Sequence, residues 1–536
     1  MSSTASIPRD YSAWDALRSP ESSPLPDPLA GLNIADEHLE RVLRGQEILV
    51  QDGAIGTQLQ ARGAASGGRI PDLACLDHPG IVTDVHRAYV EAGAEMVTTN
   101  SFSANSFKLK GAASVQEVCE AAVACAKASG ARYVAGSIGP LGSILEPFGP
   151  VSFEDAYCAF LEQATALAQA GVDVLTIETM TDLREAKAAL LAAKEAANLP
   201  VFASMTYGSN GRTLFGTPPE AVAAVLSSLG ANVVSVNCSL GPAELVSVVE
   251  GLARTSRCPV AARPNAGMPR LVDGETVYDV SPDEFAEAMV RILEAGASVV
   301  GGCCGTSPEF IERLAAVAAS FGRPAERRYE PALRVCSSQK SFEVAPGSRG
   351  GLSVVRAGDP HDPDFADDVR GGDAESVADE AMDARDEGAD VVELRCALEG
   401  VSQDLERELL GEAVGLLEEA SPVALLVRTD DPLALEAAVR SYAGKPVAAT
   451  ADGGMAALEA LLPVAKKYGC PVVIPSASGD DMQRELELSR LEGIPGEDFI
   501  VEERGGACAV PPSRCAQHLV PVEGGFRLVS AAEKGL

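Results

Sequence analysis

Residues 301–306 read Gly-Gly-Cys-Cys-Gly-Thr, which places Cys303 and Cys304 side by side between glycines. A disulfide between chain neighbours is strained, because bridge geometry wants the Cα atoms farther apart than one peptide unit allows. Two readings are left: buried, inert thiols, or two thiolates converging on one metal ion. A third thiol, Cys238, lies in the run VVSVNCS. Three thiolates suffice to hold zinc tetrahedrally with a fourth position open, the arrangement of catalytic rather than structural zinc. Gly301, Gly302 and Gly305 let the backbone turn so that both neighbouring thiols point at one ion. Taken singly, each cysteine also fits as a small core residue.

Such a site needs elements that carry position 238 to positions 303 and 304. From about residue 47, short β-branched runs alternate with Ala- and Leu-rich helical stretches: EILVQDG, MVTTNSF, YVAGSIGP, VLTIETM, VFASMTY, VVSVNCS, PVAARPNAG and VVGGCCG. Eight apolar strands, each followed by helix-like sequence, predict a (β/α)8 TIM barrel. No G-x-G-x-x-G follows the first strand, which disfavours a doubly wound dinucleotide fold. Polar residues fall at strand ends: Asp52, Asn100, Ser137, Glu178, Cys238, Asn265, Cys303 and Cys304. In barrels that rim assembles the active site. Ser307 and Pro308 then open a helix as N-cap and first helical residue.

The flanking regions differ in character. Residues 1–45 read as a flexible extension, rich in Ser and Pro at their start, and 46–321 as the barrel. Residues 322–350 lack periodicity and read as a linker. Residues 351–536 form a second, shorter α/β domain, partial and barrel-like, with strands in LSVVRAG, DVVELRC, PVALLVRT, PVAATA, PVVIPSA and DFIVEE.

Bulk composition excludes several classes. The net charge of -34 argues against nucleic acid as a partner. No apolar run is long enough to span a membrane, and the start lacks a secretory profile, so a cytoplasmic location is expected. Thirteen cysteines in such a chain read as thiols or metal ligands. The tail trio Cys508, Cys515 and His518 has irregular spacing and lacks a fourth ligand, so no second metal site is expected there.

The segments QDGAIGTQLQARG, TTNSFSANSFKL, GSIGP, IETM, VNCS, RPNAG and GGCCGTSPEFI, in this order over about residues 45–340, resemble the homocysteine S-methyltransferase family. The resemblance is closest to the homocysteine-binding half of cobalamin-dependent methionine synthases. It implies zinc held by Cys238, Cys303 and Cys304, with Asn265 as a fourth ligand displaced by substrate. It also implies that Asp52 and Glu178 grip the ammonium group of L-homocysteine. Zinc keeps a bound thiol deprotonated yet reactive, so methyl transfer to it requires no general base, which fits the absence of His from these motifs. His78 and His86 read as ordinary helix or loop residues.

Residues 351–536 resemble, faintly, the pterin-binding domain that follows in those synthases, but its functional positions differ: LVRTDDP and Ala448-Ala449-Thr450 stand where acids and amides would be. A degenerate domain is expected, kept for structure or docking. The segment DPHDPD at 359–364 does not form the D-x-H-x-x-G signature of a cobalamin module. A corrinoid is therefore expected on a separate protein, as the methyl donor. The same acceptor with methyltetrahydrofolate, S-methylmethionine or betaine as donor is the alternative within enzymes. A non-catalytic zinc-thiol scaffold for a corrinoid protein is the alternative outside them.

Overall fold

The computed structural model describes residues 27–65, 70–268, 270–272, 275–326, 329–345, 348, 350–420, 422–452, 455–475, 494–502, 517–522 and 525–530. The chain divides into two compact units, Gly31–Glu330 and Pro331–Leu536, the latter grouped with Met1–Ala30.

In the first unit, β1 (Leu49–Val50), β2 (Met96–Thr98), β3 (Tyr133–Ile138), β4 (Val174–Met180), β5 (Val201–Met205), β6 (Val233–Asn237) and β7 (Val260–Arg263) join β10 (Ala297–Val300) in one sheet. Every pairing is parallel. A bridge from Gln51 to Met96 brings β1 against β2 and closes the ring. The eight expected strands are all present, in order. Their near-continuous burial suits a parallel sheet covered on both faces. Four of the longer helices between them start on side-chain caps, Ser114, Ser152, Asp182 and Ser281, with full capping boxes at Ser114 and Ser281. Ser307 precedes the last of them as predicted, with Pro308 at its first position, but its side chain makes no capping bond. A small antiparallel hairpin, β8 (Arg270–Val272) with β9 (Glu275–Val277), interrupts the connection after β7.

Two stretches without regular structure in the sequence reading are ordered. Within 1–45, Glu37–Leu43 forms a helix whose Leu39 and Val42 are fully buried. Its cap Asp36 also accepts from the Tyr133 hydroxyl at 2.6 Å and from Arg132 at 2.9 Å, so the helix sits at the amino-terminal end of β3. Seven residues are too few to give a periodic signal. Within 322–350, β11 (Leu333–Cys336) and β12 (Ser341–Val344) make an antiparallel hairpin.

That hairpin belongs to the second unit. There β13 (Leu352–Arg356), β14 (Val391–Leu394), β15 (Ala424–Arg428), β16 (Val447–Ala449), β17 (Val472–Pro475), β18 (Phe499–Glu502), β19 (Gln517–Val522) and β20 (Gly525–Ser530) form a closed barrel. The first seven run parallel in succession, whereas β20 is antiparallel to both β19 and β13. The six strands expected here are thus completed by two from the tail. Leu333, Val335 and Val344 of the hairpin pack with Val354, Leu426, Val473 and Leu528 into one core, closing the amino-terminal end. No helix among the described residues is long and apolar enough to cross a membrane.

Candidate metal centre and substrate pocket

The carboxyl ends of β6 and β10 carry the three cysteines to one place. The Sγ atoms of Cys238, Cys303 and Cys304 all lie within 4.8 Å of one another. Cys238 and Cys304 are 3.8 Å apart. Zinc–sulfur bonds of about 2.3 Å in a tetrahedron separate sulfurs by about 3.8 Å, the spacing of Cys238 and Cys304. The backbone is bent to reach it: Cys238 and Ser239 have φ of 65° and 58°, a region that side chains enter at a cost. Gly302 is required by close approach, because a Cβ there would lie 2.4 Å from Thr306 Oγ1. The Thr306 hydroxyl donates to the Cys303 carbonyl at 2.7 Å and accepts from the Ala54 amide at 3.1 Å, pinning the turn to the end of β1.

The electrostatics of the trio favour a cation. Hydrogen bonds from Cys238 and Cys303 hold the Cys304 thiol down to about 3, against burial and with help from Tyr278. Cys238 is pushed far up because it donates to both partners and is buried. Cys303, although Cys238 donates to it, is raised to about 11 by its own donation to Cys304 and by burial. Three thiols buried this close together resist carrying more than one negative charge unless a cation balances it.

A cavity of about 240 Å³ opens beside the thiols, lined by Cys238, Cys303, Cys304, Glu178, Thr179, Arg263, Asn100, Asp72 and Ser137, among others. Glu178 is held on one side by the Ser137 hydroxyl and on the other by Arg263 Nη1 at 2.9 Å. Asn100 also lines the cavity and donates to the Pro71 carbonyl at 2.9 Å, anchoring the neighbouring Asp72.

Asp52 occupies a different layer from Glu178. It is fully buried behind Thr98, accepting from the Thr98 amide at 2.7 Å and hydroxyl at 2.9 Å, and does not form part of the cavity wall. Burial raises its carboxyl to about 7, opposed by Arg263 and by the two Thr98 hydrogen bonds. Asn265 is 2% exposed, its backbone N–H donates to the Leu240 carbonyl at 2.9 Å, and its side-chain Oδ1 has no hydrogen-bond partner among the described residues.

Sequence reasoning missed Arg263 and Asn237. Arg263 stays charged despite complete burial because Glu178 and Asp52 flank it. A cation ending a buried strand was the available signal, and it sits two residues before Asn265 in RPNAG. Asn237 immediately precedes Cys238 and donates to Cys303 Sγ at 3.7 Å. His86 is buried in the helix Pro79–Glu91, with neither ring nitrogen bonded among the described residues, and does not line the cavity.

The second barrel has charges at the same end of its strands, but they satisfy one another. Arg356 Nε lies 2.7 Å from Glu393, and Arg428 Nη2 lies 3.0 Å from both Glu393 and Glu502. His518 is buried in β19, whereas Cys508 and Cys515 lie outside the described residues.

Comparison with known proteins finds that residues 49–318 match the family model for homocysteine S-methyltransferase. The methionine synthase of Mycobacterium tuberculosis (strain H37Rv) is 35% identical over 333 residues, covering 56% of this chain and 28% of that protein. The methionine synthase of Mycobacterium leprae is 34% identical over 299 residues, covering 51% and 24%. The chain thus spans roughly a quarter of the length of these curated relatives. Among solved structures, the metallated form of the Escherichia coli homocysteine methyltransferase MmuM is similar at 25% identity, with 52% of this chain and 99% of that chain covered and a TM-score of 0.44.

Proposed function

The chain belongs to the homocysteine S-methyltransferase family, and from that membership we propose that it transfers a methyl group to the thiol of L-homocysteine, forming methionine, at a zinc centre held by Cys238, Cys303 and Cys304. The observation that carries this reading is the convergence of those three thiols, from two separate strand ends, on the wall of a cavity that Glu178 and Arg263 also line. Zinc bound there would supply Lewis acidity, keeping the substrate thiol deprotonated and nucleophilic at neutral pH. Asn265, whose buried amide oxygen has no donor among the described residues, would serve as a fourth ligand to that ion.

The chain's own residues then do the positioning. Glu178, aligned by Ser137 and Arg263, receives the ammonium group of homocysteine. Asp52 contributes from behind, through Thr98 and the negative field it adds. Arg263 offsets the negative charge that carboxylates and thiolates accumulate in a dry site.

The methyl donor is a protein-borne methylated corrinoid. Large apolar side chains stand exposed on the loops at the barrel mouth: Ile144 and Phe148 after β3, Leu214 after β5 and Met268 after β7, with Leu214 76% exposed. Such a rim suits a bulky apolar face on a partner. The mutually neutralised Arg356, Glu393, Arg428 and Glu502 support a structural or docking role for the second barrel rather than pterin binding.

The test is methyl transfer from free methylcobalamin to L-homocysteine, followed by the cobalamin spectrum, with zinc-loaded and chelator-stripped protein. Zinc-dependent demethylation that vanishes in Cys303→Ser is expected. Normal turnover by Cys303→Ser would sink the zinc role. No transfer from a protein that binds zinc and homocysteine would move the donor to a sulfonium, betaine or folate. Zinc bound without homocysteine affinity would favour a scaffold.

A further inference from the structure

We propose that Asn237 is a positioning residue that couples the Cys303 thiol to the Glu178–Thr179 strand end, so that the metal-binding sulfur and the substrate carboxylate keep a fixed spacing. This inference rests on the zinc reading above.

Asn237 ends β6 with its side chain fully buried in the barrel. A buried amide is tolerated there only if its polar atoms are paired. All of them are. Oδ1 accepts from the Thr179 backbone amide at 2.8 Å and from the Ser204 hydroxyl at 2.7 Å. Nδ2 donates to Thr179 Oγ1 at 2.8 Å and to Cys303 Sγ at 3.7 Å. The orientation of the amide is not a free choice. A backbone N–H can only donate, so the Thr179 amide forces Oδ1 toward itself and thereby aims the NH2 at the sulfur.

Thr179 shows why a clamp is needed. It is β-branched yet has φ of 62°, a conformation that persists only where the surroundings over-determine it. Asn237 grips that one residue twice, by its amide and by its hydroxyl. Glu178 directly precedes it, with its carboxylate bonded to Arg263 and Ser137. Releasing the clamp would let the β4 end relax and the carboxylate shift. The fourth hydrogen bond runs to the sulfur. An N–H aimed at that sulfur fixes where it stands relative to the β4 end, as an outer partner orients a metal ligand. A purely structural asparagine would need the contacts to Thr179 and Ser204, but not the one to Cys303.

Two variants separate the roles. In Asn237→Asp the carboxylate still accepts from the Thr179 amide and from Ser204, and the Thr179 hydroxyl can turn to donate to it. The clamp is therefore kept, while a negative oxygen replaces the donor beside Cys303. Zinc affinity, read by competition with a chromophoric chelator, should fall about 10- to 100-fold. The thiolate-to-metal charge-transfer band of the cobalt(II)-loaded protein should shift, with far-UV circular dichroism unchanged. Asn237→Ala removes the clamp as well, so KM for homocysteine should also rise. Zinc affinity within twofold of the parent and an unshifted cobalt band in Asn237→Asp would overturn the proposal. Absence of any such band in the parent would instead sink the zinc reading, and this inference with it.

Discussion

Glu178 and Asp52 read alike in the sequence, as carboxylates at strand ends, and the fold separates them. Glu178 reaches the cavity wall, while Asp52 turns back to satisfy Thr98. Which layer a side chain occupies depends on what its neighbour across the sheet offers, and that neighbour is 46 positions away. The three cysteines were legible because adjacent thiols between glycines are a rare pattern with few chemical uses. Arg263 and Asn237 were not, because a single Arg or Asn has many. Another buried acid yields a prediction at this scale. Glu185 is 4% exposed, and burial raises its carboxyl from 4.5 to about 7, opposed by the hydrogen bond it accepts from the Leu141 amide and increased by Asp182. The native protein thus holds this proton at a pH where the unfolded chain has lost it. Stability should therefore fall as pH rises from about 4.5 to 7, by at most about 3 kcal/mol from this group. Urea melts across that range should show a shallower decline for Glu185→Gln, whose amide oxygen still accepts from Leu141. An identical slope in variant and parent would rule Glu185 out as its source.

At the scale of elements, the parallel strands of both units were readable, because strands buried on both faces are continuous apolar runs. The hairpin β11–β12 was not readable. Its residues alternate, with Leu333 and Val335 buried beside the polar Arg334 and exposed Glu343, so they give no run, and a hairpin of two four-residue strands has no helix to announce it. The tail strands β19 and β20 escaped for a related reason: QHLVPV contains a proline and ends in exposed residues. The hairpin is nonetheless a plug for the barrel core. Leu333 is fully buried in the cluster with Val354, Leu426 and Val473. Leu333→Ala should cost about 2–5 kcal/mol in the unfolding of the second unit, read by denaturant titration. A loss below about 0.5 kcal/mol, the range of surface substitutions, would show that the hairpin does not help hold the barrel.

At the scale of the whole molecule, the charge of -34 is the dominant feature with no part in the site. Self-repulsion of that size opposes compaction and is screened by salt. The thermal midpoint should rise as sodium chloride increases from about 10 mM to about 300 mM, the Debye length shrinking severalfold. A midpoint that stays flat or falls would mean that local ion pairs outweigh the net repulsion. By itself the sequence determined the order of elements in the first unit and the placing of Cys238, Cys303 and Cys304 at strand ends, since strand periodicity and the cysteine motif are properties of short windows. It also located the second α/β region. Closure of that region into a barrel by a reversed last strand, the packing of the hairpin beneath it, and the burial of Asp52 behind Thr98 were decided only by tertiary structure. So was the Asn237 clamp on Thr179 and Cys303. The reason is physical: a buried polar atom takes its partner from whatever the fold brings within about 3 Å, and those partners come from distant strands.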